Sequence, residues 1–214
     1  SGVPDDVAFN STFSAKSQDA ALMMSANDQL NHFPPNSWVF WTADGREAAE
    51  NSNLAIGSAG PDSVMGYIQD HGGGNSAVGL RRWLLYPQTQ TMGTGDVPGI
   101  DGVSNRRPAN SIWVFDGNFG GSRPTTRESF VAWPPAGHVP YTIVYPRWSI
   151  SVAGANFNGA SVSMTRKIGN GSPENVSVVL ESVSTGSGEP TLVWVPDGLN
   201  TNQPQTHERP TEDT

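Results

Sequence analysis

The side chains best suited to chemistry are few in this sequence of 214 residues. It contains four histidines and no cysteine, which excludes thiol catalysis, thiolate metal sites and disulfides. It also lacks a glycine-rich phosphate loop, a Gly-x-Ser-x-Gly turn and a His-Glu-x-x-His helix, so the motifs of the common hydrolase classes are missing. Any chemistry therefore has to come from separate histidines and carboxylates.

Three aspartates, Asp96, Asp101 and Asp116, lie in stretches rich in glycine. Carboxylate oxygens are hard ligands of the kind that calcium prefers. However, no Asp-x-Asp-x-Asp-Gly run gives them the spacing of an EF-hand loop. The residue type thus favours a calcium site at these loops, whereas the spacing does not.

The charge balance narrows the classes of partner. The chain has 20 acidic and 12 basic residues and a net charge of -8. Nucleic-acid binding requires clustered cations, and the chain has only isolated basic pairs, Arg81-Arg82, Arg106-Arg107 and Arg166-Lys167. No apolar run reaches the roughly 18 residues of a membrane-spanning helix. We therefore expect neither a nucleic-acid partner nor a membrane span.

Helical patterns dominate the first part of the chain. Good helix formers around residues 20–24 predict a helix that ends near residue 30, before Pro34-Pro35. Residues 46–55 predict a second helix. A third begins at Pro61, where proline suits the first turn.

From about residue 80 the pattern changes to short runs of β-branched and aromatic residues. Residues 82–86 and 111–115 are typical of buried strands, and residues 92–110 of a loop. The predicted strands of the C-terminal part cover residues 143–145, 148–152, 160–165, 176–180 and 191–195. Turn residues separate them by roughly 10–15 positions, as in a β-sandwich.

Four segments then follow one another in an informative order: residues 20–32, 50–57, 67–70 and 75–83. Their motifs and spacing resemble the CAP superfamily (cysteine-rich secretory, antigen and pathogenesis-related proteins), in its cysteine-free bacterial branch. The resemblance implies an α+β fold, with a CAP-like α-β-α sandwich over residues 1–122. A β-rich, β-sandwich-like (Ig-like) extension would occupy residues 123–199, and a polar tail or linker residues 200–214. It also implies a secreted or cell-surface protein.

The resemblance also implies a site of two histidines and two carboxylates, often a metal site in the family. In this chain His32 matches the first histidine. Ser52 stands where the family has its first glutamate, and Asp70 matches the second acid. Leu80 occupies the position of the second histidine.

This set is incomplete for catalysis. Leucine cannot ligate a metal or move a proton, and a catalytic zinc site usually has three strong protein ligands. Glu47 or Glu50 could substitute for the missing glutamate. One hypothesis is therefore a zinc-dependent or other divalent-metal-dependent, peptidase-like hydrolase that uses His32 and Asp70 with one of these glutamates.

Simpler roles compete with ligand binding at each position. His32 could close the end of the first helix through a backbone carbonyl, and Asp70 could cap or order a loop. Asn75, placed by the resemblance near the same site, is typical of a residue that holds a loop by backbone hydrogen bonds. Arg81-Arg82 favours internal ion pairs over recognition of a carboxylate or phosphate.

The sequence leads to three hypotheses of function. The first is a non-catalytic extracellular module that binds a small molecule, a glycan or a protein ligand, or takes part in surface assembly. In that case His32, Ser52, Asp70, Leu80 and Asn75 line a polar cleft. The second is the metal-dependent hydrolase. The third is a structural domain of a larger surface protein, which a chain that starts at Ser1 without a methionine favours.

Overall fold

The computed structural model describes residues 2–99, 106–186 and 188–204. The chain divides into two compact units, which we call the N-terminal and C-terminal units. The N-terminal unit comprises residues 4–67 and 86–125. The C-terminal unit comprises residues 2–3, 68–85 and the described residues from 126 onward.

The chain contains four α-helices and ten β-strands among the described residues, together with two short 3-10 helices at Gly73–Asn75 and Tyr141–Ile143. The α-helices are α1 (Ser11–Asn27), α2 (Ala43–Glu50), α3 (Pro61–Gln69) and α4 (Gly79–Leu84). The strands are β1 (Ala8–Phe9), β2 (Ser52–Ile56), β3 (Thr91–Val97), β4 (Ala109–Trp113), β5 (Phe130–Trp133), β6 (Trp148–Val152), β7 (Met164–Arg166), β8 (Glu174–Val176), β9 (Val178–Ser184) and β10 (Thr191–Pro196).

Helix α1 is the central element of the N-terminal unit. Asn10 caps its first turn by accepting a hydrogen bond from the Phe13 amide at 3.0 Å, and such caps satisfy amides that have no partner within the helix. The helix ends at Asp28, which adopts a left-handed conformation (φ 50°). One face of α1 buries Ala20, Ala21 and Met24 against α2 and the sheet. The other members of this core are Ala48, Ala49, Leu54, Ala109 and Trp113.

The sheet of the N-terminal unit has the strand order β1-β3-β4-β2. β1 pairs with β3 in parallel, and the other neighbours are antiparallel. Two glycines of β3 face α1 at very short range. A Cβ at Gly95 would lie 2.1 Å from the Gln18 backbone nitrogen, and one at Gly93 would lie 2.5 Å from the Ser14 nitrogen. These glycines therefore allow the backbone of α1 to lie directly on the strand.

Replacing Gly95 with alanine should reveal this contact. A Cβ there overlaps helix backbone, which cannot rotate away, so we expect the free energy of unfolding to fall by roughly 1–3 kcal/mol. Gly66→Ala in α3 is the matched control, because nothing lies within 4 Å of a Cβ at that position. Alanine also favours a helix more than glycine does. Chemical denaturation should show Gly66→Ala at or above the wild type; equal stabilities for the two variants would contradict the close packing.

The C-terminal unit contains an antiparallel four-stranded sheet with the order β5-β6-β10-β9 and a two-stranded sheet of β7 and β8. β10 lies inside the larger sheet and is the most buried of its strands. Leu192 and Val193 are nearly inaccessible to solvent. Helix α4 and the turn that precedes it belong to the same unit.

Three local predictions for the first 110 residues are wrong. Residues 82–86 are not a strand, because helix α4 covers Gly79–Leu84. The helix predicted over 46–55 ends at Glu50, and β2 follows it at once. The predicted loop 92–110 contains most of β3 and the start of β4. In β3, glycines that suggested a turn are instead required by the packing of α1.

Helices and strands together in both compact units confirm a mixed α and β fold. In the C-terminal part, β6, β9 and β10 lie at or near predicted strands. Residues 143–145 form no strand, since a 3-10 helix ends at Ile143. Of the strand predicted at 160–165, only Met164 and Thr165 lie in β7. The second layer of an Ig-like sandwich stays a prediction.

Candidate functional site

His32 follows α1 in the N-terminal unit and is exposed. Its Nδ1 lies 2.7 Å from the carbonyl oxygen of Ala49, at the end of α2. A carbonyl can only accept, so Nδ1 carries a proton in this contact and Nε2 is the ring nitrogen turned away from it. This arrangement fixes the orientation of the ring, as expected both for a structural histidine and for one that offers Nε2 to a ligand. One imidazole is thus available in this unit.

Ser52, at the family's glutamate position, begins β2 and is 3% exposed. Its hydroxyl is buried and has no hydrogen-bond partner among the described residues. The two glutamates that could replace the missing acid are engaged elsewhere. Glu47 pairs with Lys16 at 2.6 Å, and Glu50 pairs with Arg46 at 2.8 Å.

Asp70 lies in the C-terminal unit directly after α3 and is 1% exposed. It adopts a left-handed backbone conformation (φ 51°). Its Oδ2 accepts hydrogen bonds from the backbone amides of Leu80 at 2.9 Å and Arg81 at 3.4 Å. These amides belong to the first turn of α4 and have no acceptor within the helix. Asp70 therefore anchors the start of α4, much as an N-cap side chain does.

The electrostatic environment of Asp70 is that of a buried acid. Burial raises the pKa of Asp70 to about 6. The Arg81 and Leu80 amides and the positive charges of Arg81 and Arg147 lower this pKa, but they do not cancel the effect of burial. The second oxygen, Oδ1, is buried without a hydrogen-bond partner among the described residues.

Arg81, one residue after Leu80, is completely buried and donates to carbonyl and hydroxyl oxygens of its own unit. Its Nε and Nη2 donate to the carbonyls of Ile68 and Gln69. Its Nη1 donates to the carbonyl of Arg147 at 2.9 Å and to the Ser149 hydroxyl at 3.0 Å. Burial lowers the pKa of Arg81 to about 9. With 1% exposure, this guanidinium is a structural cross-link and is not accessible to a ligand.

Arg147 forms a second buried cross-link in the C-terminal unit. Its guanidinium binds Glu181 on β9 in a bidentate manner, at 2.5 and 3.0 Å. Its Nη1 also donates to the Asp70 carbonyl at 2.7 Å. Its side chain is 2% exposed. Arg147 is therefore held by an ion pair, and nothing in the local sequence indicates Glu181 as its partner.

Two further positions predicted to line the site serve local structure. Leu80, at the family's second histidine position, opens α4 and donates its amide to Asp70. Asn75 closes the short 3-10 helix, and its Nδ2 donates to the His71 carbonyl at 2.6 Å. Arg82 donates to the Ser184 hydroxyl at 2.8 Å and the Glu189 carbonyl at 3.0 Å, so this arginine too bonds within its own unit.

The predicted calcium ligands are engaged by N–H donors. Asp96 accepts hydrogen bonds from the Gly60 amide and the Asn110 side chain. Asp116 accepts from the amides of Gln90 at 2.8 Å and Thr91 at 2.9 Å, and it also accepts from Asn118. Asp101 lies outside the described residues. Asp96, in β3, and Asp116, after β4, thus hold neighbouring N–H groups through hydrogen bonds.

Across the described ranges, no three or more His, Asp or Glu side chains come together in a group that could hold a metal ion. The pairing of His32 and Asp70 as metal ligands, with zinc or calcium, stays a prediction. In the same ranges no helix has the length and apolar character needed to cross a membrane.

The comparison with protein families decides the identity of the N-terminal part. The model of CAP, the cysteine-rich secretory protein family, matches residues 2–116, more than half of the chain. This protein belongs to the CAP family. No curated protein and no solved structure matches the chain. The CAP match contains all four positions carried over from the family pattern, His32, Ser52, Asp70 and Leu80.

The four positions of this CAP protein are distributed over both units. His32 and Ser52 belong to the N-terminal unit, whereas Asp70 and Leu80 belong to the C-terminal unit. In each unit, the side chain that could take part in catalysis already has a structural partner. His32 contacts the Ala49 carbonyl, and Asp70 accepts from the Leu80 amide. The sequence pattern located the positions, but it did not reveal the buried arginines that bond around Asp70.

Proposed function

We propose that this CAP protein is a secreted, non-catalytic module that binds an extracellular ligand or takes part in surface assembly. The observation that carries the proposal is the burial of Asp70 and its hydrogen bonds to backbone amides. Its carboxylate is buried and holds the amides of Leu80 and Arg81. The one carboxylate that the family pattern retains is thus committed to the fold, and activation of water requires a group that can reach the substrate.

The other tetrad positions support the same conclusion. The side chain of Leu80 has no atom that can bind a metal or transfer a proton. Ser52 offers a buried hydroxyl in place of a carboxylate. Only His32 keeps a free ring nitrogen, and one imidazole is fewer than the three protein ligands usual for catalytic zinc.

The metal-dependent hydrolase is the competing hypothesis. It requires a carboxylate to replace the missing glutamate, and both candidates have cationic partners, Lys16 for Glu47 and Arg46 for Glu50. Secretion is supported by the family, whose description is cysteine-rich secretory protein. The net charge of -8 suits a partner that carries positive or neutral groups.

Restoring a histidine at position 80 tests the assignment of the degenerate tetrad. In the family pattern this imidazole joins the one at His32, so Leu80→His should bind zinc about tenfold more tightly than the wild type, as expected for an added ligand. Isothermal titration with zinc measures the gain.

The matched control is Leu22→His, which adds a histidine on the exposed side of α1. It should leave zinc affinity at the wild-type level, and His32→Ala in the Leu80→His background should remove the gain. If Leu80→His folds normally and binds zinc no better than Leu22→His, the tetrad is wrongly assigned.

A further inference from the structure

A groove on the N-terminal unit has a volume of about 460 Å³. Helix α3 forms one wall, and strands β3 and β4 form the other. The residues that matter for its chemistry are Pro61, Val64, Met65, Asp96, Asn110 and Ile112. The volume is within the range of small-ligand sites, and neither His32 nor Ser52 lines the groove.

The wall formed by α3 is apolar and open to solvent. Pro61, Val64 and Met65 have the spacing that places side chains on one face of a helix. Val64 and Met65 remain 38% and 40% exposed. The neighbouring Ser63 and Tyr67 are nearly fully buried instead. This wall therefore offers apolar surface to a ligand.

A carboxylate lies in the same groove. Asp96 Oδ1 accepts hydrogen bonds from the Gly60 amide and from Asn110 Nδ2, the latter at 2.8 Å. The Thr94 hydroxyl lies 3.5 Å from Oδ2, beyond the usual range of an O–H···O bond. No Lys, Arg or His among the described residues forms an ion pair with Asp96. Among these residues the negative charge of Asp96 therefore has no counter-ion, and Oδ2 retains capacity to accept.

The position of this carboxylate is fixed from behind. Tyr67 donates its hydroxyl proton to Asn110 Oδ1 at 2.7 Å, while Asn110 Nδ2 donates to Asp96. The Asp96 backbone is also held, since its amide and carbonyl bond to the Gln18 side chain at 3.1 and 2.8 Å. A ligand would meet a carboxylate that is already oriented, which reduces the entropic cost of binding.

We propose that this groove binds a cationic amphiphile, a small molecule with a primary ammonium group and an alkyl chain. The ammonium group donates to Asp96 Oδ2 and neutralises its charge. The alkyl chain lies on Val64, Met65 and Ile112. Charge complementarity selects the cation, because an anionic head group would approach an unpaired carboxylate in an apolar groove.

Three ligands with the same eight-carbon chain separate charge from apolar binding: octylammonium, octanoate and 1-octanol. Titrations followed by NMR of the Gly60 and Asn110 amides give the dissociation constants. We expect octylammonium to bind about tenfold more tightly than the other two, the usual effect of one charge-assisted hydrogen bond. Similar affinities for octylammonium and octanoate would overturn the proposal.

Two variants and a control test the residues. Asp96→Asn should remove the preference for octylammonium and leave the affinity for 1-octanol unchanged. Asp62→Asn removes the same charge from an exposed position of α3 and should preserve the preference. If Asp96→Asn does not fold, Met65→Ser serves instead, since a shorter polar side chain should weaken all three ligands. Unchanged binding in both groove variants would overturn the proposal, whatever the zinc titrations show about the tetrad.

Discussion

Replacing Arg147 with methionine should lower the free energy of unfolding by about 3 kcal/mol, as expected when the buried cation of a partly buried ion pair is removed. The loss leaves Glu181 without its bidentate partner and the Asp70 carbonyl without its donor. In a chain of this length, such a change corresponds to a decrease of roughly 6–12 °C in the melting temperature. Chemical denaturation measures the free energy directly.

The matched control is Arg166→Met, in an exposed pair with Glu174 whose side chains are 61% and 68% accessible. Exposed pairs contribute little, so this variant should remain close to the wild type. The double variant Arg147→Met/Glu181→Met should recover part of the lost stability, because no unpaired charge remains. Equal effects for the two single variants would show that the Arg147 cross-link is not important for stability.

The second large effect concerns the pH dependence of stability. Burial raises the pKa of Asp70 from 3.8 to about 6. The folded protein therefore holds a proton that the unfolded chain releases, and the unfolding free energy falls as the pH rises between these values. The full contribution is about 3 kcal/mol, complete below the unfolded pKa and lost above pH 6.

Asp70→Asn removes this titration but keeps an oxygen that can accept from the Leu80 amide. Relative to this variant, the wild type should lose about 2 kcal/mol of stability between pH 4.5 and 7.5, the part of the transition within that window. Asp62→Asn, at an exposed position, should follow the wild type at every pH. Parallel curves for wild type and Asp70→Asn would mean that Asp70 titrates as a solvated carboxyl.

Local sequence signals predicted the elements whose boundaries depend on nearby residues. The prolines at 34 and 35 marked the end of the first helical region, and Pro61 marked the first residue of α3. The order of four motifs indicated the CAP family, which the family comparison confirms. These features depend on capping, proline geometry and short-range spacing, all visible in one sequence.

The features that sequence analysis missed depend on distant contacts. The apolar and aromatic run at residues 82–86 predicts a strand, but these residues lie in or next to helix α4. The first turn of α4 is held by Asp70, ten residues before Leu80. The glycines of β3 predict a loop, but they lie in a strand where they make room for the backbone of α1, far away along the chain. The Arg147–Glu181 pair joins residues 34 positions apart. No local pattern distinguishes such residues from ordinary surface charges.

These contacts indicate structural roles for the two family residues that this chain retains, His32 and Asp70. A carboxylate at the family's position suggested a remnant of a catalytic site, but Asp70 holds backbone amides in a buried position. His32 is oriented by the Ala49 carbonyl and keeps Nε2 available. We therefore propose that the tetrad of this CAP protein has lost its metal chemistry and that Asp70 is kept for the fold.

The metal content of the purified protein tests this claim most directly. Wild type and His32→Ala are prepared without chelators and analysed by elemental mass spectrometry. We predict that neither retains zinc or another transition metal at a stoichiometric level. About one equivalent of zinc in the wild type, absent from a folded His32→Ala variant, would indicate a metal site built on His32 and would contradict the account.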